Sequence, residues 1–116
     1  MPAHLPRNLY VRRVLELYRL MPGTTGHIRP SDRQLASGLH DRGIPIDIVS
    51  AALLLAASRR IFRSGEPLSP IATLHYIRPV IDELLPKPCD PDYIDYLCHK
   101  LAPVAPHFVT AAHQLS

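Results

Sequence analysis

Eight side chains of this chain have the types needed to hold an anionic polymer: Arg12, Arg13, Arg19, Arg59, Arg60, Arg63 and Arg78, with Tyr76 two residues before the last of them. A guanidinium is a planar fork that matches two phosphate oxygens and stays charged at any ordinary pH. An aromatic ring beside such cations offers a face on which an unpaired base can stack. This is the chemistry of nucleic-acid binding through phosphates, with little base-specific readout. It requires that positions distant in the chain be gathered on one surface.

No comparable set exists for bond-making chemistry. The seven His and ten acidic residues are scattered, with no His-Glu-x-x-His and no Gly-x-Ser-x-Gly. Gly23-Thr24-Thr25-Gly26 is too short to cradle a phosphate and lacks a following Lys. Asp82 and Glu83 are adjacent, so on a helix they face different directions and read as a solvated acidic face. Cys89 and Cys98 lie nine apart with His99 adjacent, which is not a recognised four-ligand spacing, and they read as core or surface thiols. The expectation is a protein that is not an enzyme, with no metal and no cofactor.

Charge is distributed unevenly. Residues 1–63 carry ten Arg against four acids, a net of +6, whereas residues 64–116 carry three basic residues against six acids, a net of −3. A surface polarised in this way suits an anionic partner such as DNA, and a merely solvated helical surface has the same composition. Apolar residues make up 47% of the 116, enough for one core and one domain. The longest apolar run, Ala51 to Ala57, is too short to span a bilayer, and the first seven residues lack the apolar stretch of a signal peptide. No membrane association and a cytoplasmic location are expected.

The elements that must position the cations are helical. No alternating β-branched run and no Asn-Gly or Asp-Gly turn is present. The periodicity predicts an all-α fold: a compact bundle of five to six short helices around a central apolar helix at 46–60. The first runs from about Asn8 to Met21 with Tyr10, Val11, Val14, Leu17, Tyr18 and Met21 on one side, and Pro22-Gly23 stops it. Ser31 has the look of an N-cap with Gln34 three residues on, opening a helix from Asp32 to Asp41 that ends at Gly43.

Pro45 starts the central helix, which is polar only along Asp47, Ser50 and Ser58. At its end Arg59 and Arg60 diverge by about 100°, toward different neighbours. Ser69-Pro70 is predicted to open a fourth helix with a stripe of Leu74, Ile77, Ile81 and Leu84, kinked or restarted at Pro79. Asp90-Pro91 caps a fifth through Leu101, with Ile94, Leu97, Cys98 and Leu101 inward. A sixth, about Pro106 to Gln114, presents Phe108, Ala112 and Leu115. Tyr10, Tyr18, Tyr93 and Tyr96 lie at helical spacing and read as packing residues.

The segment Tyr76-Ile77-Arg78-Pro79-Val80-Ile81-Asp82-Glu83-Leu84 follows the spacing Tyr-Ile-x-x-Ile-Leu-x-x-Trp, with Leu84 at the aromatic position and Pro79 inside the helix. Upstream, Arg42-Gly43-Ile44-Pro45-Ile46-Asp47-Ile48-Val49 leads into the main apolar helix. Over residues 32–85 this arrangement resembles the DnaD-like helical domain of bacterial and phage replication-initiation proteins. The resemblance implies a basic DnaD-like core in residues 1–85, a C-terminal helical extension in 86–116, and the family's Tyr and Ile positions at Tyr76 and Val80. It also implies a DNA-associated accessory role in replication or in maintenance of a mobile element, with a replication or recombination protein as a further partner. A rival reading is a protein–protein adaptor or homo-oligomer whose interface is Ile94, Leu97, Leu101, Phe108 and Val109.

Overall fold

The structure is a computed structural model that describes residues 5–115, with side chains as far as His113. Among these residues the chain forms six α-helices and one 3-10 turn: α1 (Arg7–Leu20), α2 (Pro30–Asp41), α3 (Ile46–Ile61), the 3-10 turn Leu74–Ile77, α4 (Arg78–Leu84), α5 (Pro91–Leu101) and α6 (Pro106–Leu115). The all-α architecture matches the periodicity of the sequence. No described helix is long and apolar enough to cross a membrane.

The central helix is α3. Every residue from Val49 to Ser58 is buried, because the narrow polar stripe of its sequence leaves no face that water could favour. α1, α4, α5, α6 and the 3-10 turn all pack around it. α1 runs parallel to α3: the Tyr10 hydroxyl donates to the Ile44 carbonyl at 2.8 Å beside the start of α3, and Gly23 meets Arg60 at its end. Burial pushes the Tyr10 hydroxyl up to about 12, so it remains a donor at all physiological pH.

α5 and α6 join the same core. Leu97, Cys98, Leu101, Phe108, Val109 and Ala112 are all buried in it, and Ile94 packs against it half-buried. Of the set expected for an adaptor interface, Leu97, Leu101, Phe108 and Val109 are therefore buried within the chain and Ile94 half-buried. The side chain of Leu115, expected inward, lies outside the described residues.

Two helix starts differ from expectation. α2 begins at Pro30, not at a Ser31 cap. The Asp32 carboxylate reaches back to the Arg29 N–H at 2.9 Å, while the Asp32 N–H donates to the Arg29 carbonyl at 3.0 Å. That pairing needs an acid at the third helical position, and Pro at the first suits the turn before it. Ser69-Pro70 likewise opens no helix. Residues 68–73 are irregular, and Ile71 forms a parallel bridge with Thr24, Ile71 N–H to the Gly23 carbonyl at 2.7 Å and Thr25 N–H to the Ile71 carbonyl at 3.0 Å. Thr73 is the N-cap instead, accepting from the His75 N–H at 3.3 Å.

Other local expectations hold. At the end of α2, Gly43 adopts φ +73°, its N–H bonds the His40 carbonyl, and the Ile44 N–H bonds the Leu39 carbonyl. This left-handed exit satisfies two terminal carbonyls and brings the apolar pair Ile44 and Leu39 together. Pro79 does restart the chain: the 3-10 turn gives way to α4, in whose first turn the missing N–H of Pro79 costs no helical bond.

Candidate nucleic-acid interface

The C-terminal end of α3 delivers Arg59, Arg60, Phe62 and Arg63 to the surface within five residues. Arg59 turns toward α4, where its two terminal nitrogens hold Glu83 at 2.9 and 2.5 Å. That paired fork raises the Arg59 guanidinium and lowers the Glu83 carboxyl. Arg60 turns the other way, as the 100° step requires, and donates to the Leu68 carbonyl at 3.2 Å and to the Ser69 carbonyl. Its guanidinium also lies 6.0 Å from the centre of the Tyr76 ring, within cation–π reach. Arg63 donates to the Glu66 carbonyl at 2.6 Å, and with Arg60, Pro22, Gly23 and Gly65 it lines a cleft of about 300 Å³.

Two features fix Tyr76 beside Arg60. The first is the buried carboxylate of Asp32, which accepts the Leu74 N–H at 2.8 Å and the Thr73 hydroxyl at 2.9 Å in addition to the Arg29 N–H. One acid on α2 thus clamps the start of the 3-10 turn. Burial by itself would raise this carboxyl. The amides of Arg29 and Leu74, the Thr73 hydroxyl and nearby His75 outweigh that and hold it below the ordinary carboxylate range.

The second feature is the close passage of Gly23 past Arg60. A Cβ there would sit 2.6 Å from the Arg60 Nε, and the backbone stands at φ +92°. Gly23→Ala is expected to lower stability by about 1 kcal/mol or more through left-handed strain and to push Arg60 off the loop carbonyls. The shift of the urea midpoint measures the first effect.

The remaining cations lie as follows. Arg19 pairs with Glu16 one turn earlier on α1, at 2.5 Å, and lowers that carboxyl. Thr24, beyond the end of α1, ties the Arg19 carbonyl to the loop that meets Ile71. Arg12 and Arg13 are exposed on α1, roughly 10 Å along the helix from Arg19 at 1.5 Å per residue. Arg78 is exposed at the first position of α4, two residues beyond Tyr76. The structure therefore brings Arg59, Arg60, Arg63 and Tyr76 to the end of α3, leaves Arg78 exposed at the start of α4 with no hydrogen bond or ion pair to them, places Arg19 at the neighbouring end of α1, and leaves Arg12 and Arg13 farther along that helix.

Sequence reasoning missed a second group at the same end. Tyr93 and Tyr96 do not pack inward: they are 44% and 53% exposed, and Phe62 and Tyr76 are 44% and 41% exposed. The rings of Tyr93 and Tyr96 stack, with centres 5.9 Å apart and planes 24° from parallel. The Lys100 ammonium sits 4.2 Å from the centre of Phe62 and 5.7 Å from that of Tyr96. The Arg59 guanidinium, raised chiefly by Glu83, is raised further by Tyr93. The signal was available on a helical wheel. Tyr93, Tyr96 and Lys100 fall within about 60° of one another, off the stripe of Leu97, Cys98 and Leu101.

Burial pushes both thiols, Cys89 and Cys98, above their ordinary value, which disfavours the nucleophilic thiolate. Among the described residues no three His, Cys, Asp or Glu side chains converge as a metal ion would need. Comparison of the chain with protein-family models, with curated proteins and with solved structures finds no match.

Proposed function

We propose that this protein is a non-catalytic DNA-binding accessory protein that holds phosphates with the cations around the C-terminal end of α3. The observation carrying this reading is that one helix end brings Arg59, Arg60 and Arg63 to the surface, with Tyr76 within cation–π reach of Arg60 and Arg60 and Arg63 lining one cleft. Arg59 and Arg19 are engaged with carboxylates, but both pairs are exposed, and water-screened pairs of this kind hold weakly enough for a phosphate to exchange. Arg12, Arg13 and Arg78 extend the cationic surface. The resemblance of residues 32–85 to DnaD-like domains supports a place in replication or in mobile-element maintenance.

Fluorescence anisotropy of labelled DNA across a salt series tests the reading. Each phosphate neutralised contributes about 0.9 to the slope of log affinity against log salt for a duplex, and about 0.7 for a single strand. Replacing Arg59, Arg60 and Arg63 together by Ala should weaken binding at least about tenfold at low salt and flatten the slope by about two units. Circular dichroism of the variant should retain its helical signal. A slope near zero for the native protein, or unchanged affinity in the folded triple variant, would overturn the proposal.

A further inference from the structure

We infer that the aromatic surface joining α3 to α5 is a stacking platform for the unpaired bases of single-stranded DNA, built from Tyr93, Tyr96 and Phe62 with Lys100 as its phosphate contact. This rests on the DNA-binding reading above and adds to it a strandedness and three residues, Tyr93, Tyr96 and Lys100, outside the segment that carries the family resemblance.

The platform is continuous. Tyr93 stacks with Tyr96, Tyr96 shares the Lys100 ammonium with Phe62, and Phe62 follows Arg59 and Arg60 at the end of α3. Exposing three large rings together costs free energy in water, and folded monomers seldom leave such rings adjacent without a partner. A protein partner would favour an apolar patch with a polar rim. Here the charge sits inside the patch, with the Lys100 ammonium over two of its rings.

Ring faces beside a cation match a single strand, which offers an unpaired base and a phosphate together. A duplex cannot use them, because stacking within the helix hides the faces of its bases. Tyr93 and Tyr96 lie one helical turn apart, and a base laid on the outer face of either ring would bring its phosphate toward Lys100 or Arg59. Lys100 can leave the Phe62 ring for that phosphate without disturbing the core, since both side chains are exposed.

The test compares a fifteen-nucleotide oligo(dT) with a fifteen-base-pair duplex, using the full chain. The chain contains no Trp, and of its five Tyr two are buried, so quenching of tyrosine emission by a stacked base reports on the exposed Tyr76, Tyr93 and Tyr96. Oligo(dT) is expected to bind at least about tenfold more tightly than the duplex and to quench tyrosine emission. The double variant Tyr93→Ala, Tyr96→Ala should lose at least about tenfold in oligo(dT) affinity, with duplex affinity changed less than about twofold. Tyr96→Phe, which keeps the ring, should bind as the native protein does, and Lys100→Gln should reduce the salt slope for oligo(dT) by about one unit.

Equal affinity for the two DNAs, or native oligo(dT) binding by the double variant, overturns the platform. In that case the DNA reading still stands if the Arg59, Arg60 and Arg63 variant loses affinity. Failure of the native protein to bind either DNA overturns both.

Discussion

Asp32→Ala is expected to lower the unfolding free energy by about 3 kcal/mol or more, the loss of a buried charge-assisted network with its donors left unpaired. The carboxylate is wholly inaccessible and accepts from three groups: the amides of Arg29 and Leu74 and the hydroxyl of Thr73. Removing it strands the amide of fully buried Leu74, whose hydrogen bond goes to Asp32. A loss of this size corresponds to a fall in Tm of roughly 10 °C for a domain of this length. Thermal melts followed by circular dichroism measure it. A drop below about 1 kcal/mol would mean that the clamp contributes little.

The same group sets a pH dependence whose sign follows from its environment. The folded-state carboxyl lies below its ordinary value, so its contribution is complete above the ordinary carboxylate range and is lost as pH falls through the folded value. Glu16 and Glu83, lowered by Arg19 and Arg59, add contributions of the same sign. Asp32→Asn keeps the shape but cannot offer two acceptor oxygens, so its stability should vary less than that of the native chain between about pH 5 and pH 2. Because the clamp also holds the turn that carries Tyr76 beside Arg60, Asp32→Ala should weaken DNA binding even under conditions where it remains folded.

Leu53→Ala should cost a comparable amount, about 3 kcal/mol, within the 2–5 kcal/mol typical of deleting a buried Leu side chain. Leu53 is fully inaccessible on the helix around which the others pack, so no neighbour can move in to fill the space without shifting a whole helix. The reverse change is also unfavourable. Ala52 and Ala57 are fully buried on the same helix, and a larger side chain at either would force a neighbour away. Urea unfolding curves for Leu53→Ala should show a lower midpoint at an unchanged slope. A near-native midpoint would show that α3 is not the structural centre.

The amino-acid sequence by itself determined the class of fold and most of the local detail. Val49 to Ser58 could be read as central because a helix that is apolar all round has to be surrounded. The left-handed exit at Gly43, the stop after α1 at Pro22-Gly23 and the restart at Pro79 were legible because they depend on residues within one turn. The opposite directions of Arg59 and Arg60 followed from helical geometry alone.

Only the tertiary structure decided where those side chains ended. Asp32 reads in sequence as one acid among ten, and its role depends on Thr73 and Leu74, some forty residues away. Ser69-Pro70 has the form of a helix start, but the bridge of Ile71 to Thr24 and the hold of Arg60 on the loop carbonyls keep that stretch out of a helix. Leu97, Leu101, Phe108 and Val109 could have faced a partner, and the core of this chain covers them instead, with Ile94 half-buried against it. Tyr93 and Tyr96 were left outside for the complementary reason. α5 has one side to bury, and the stripe of Leu97, Cys98 and Leu101 occupies it. Periodicity records which residues share a face, whereas the choice of what covers that face is made by contacts between segments far apart in the chain.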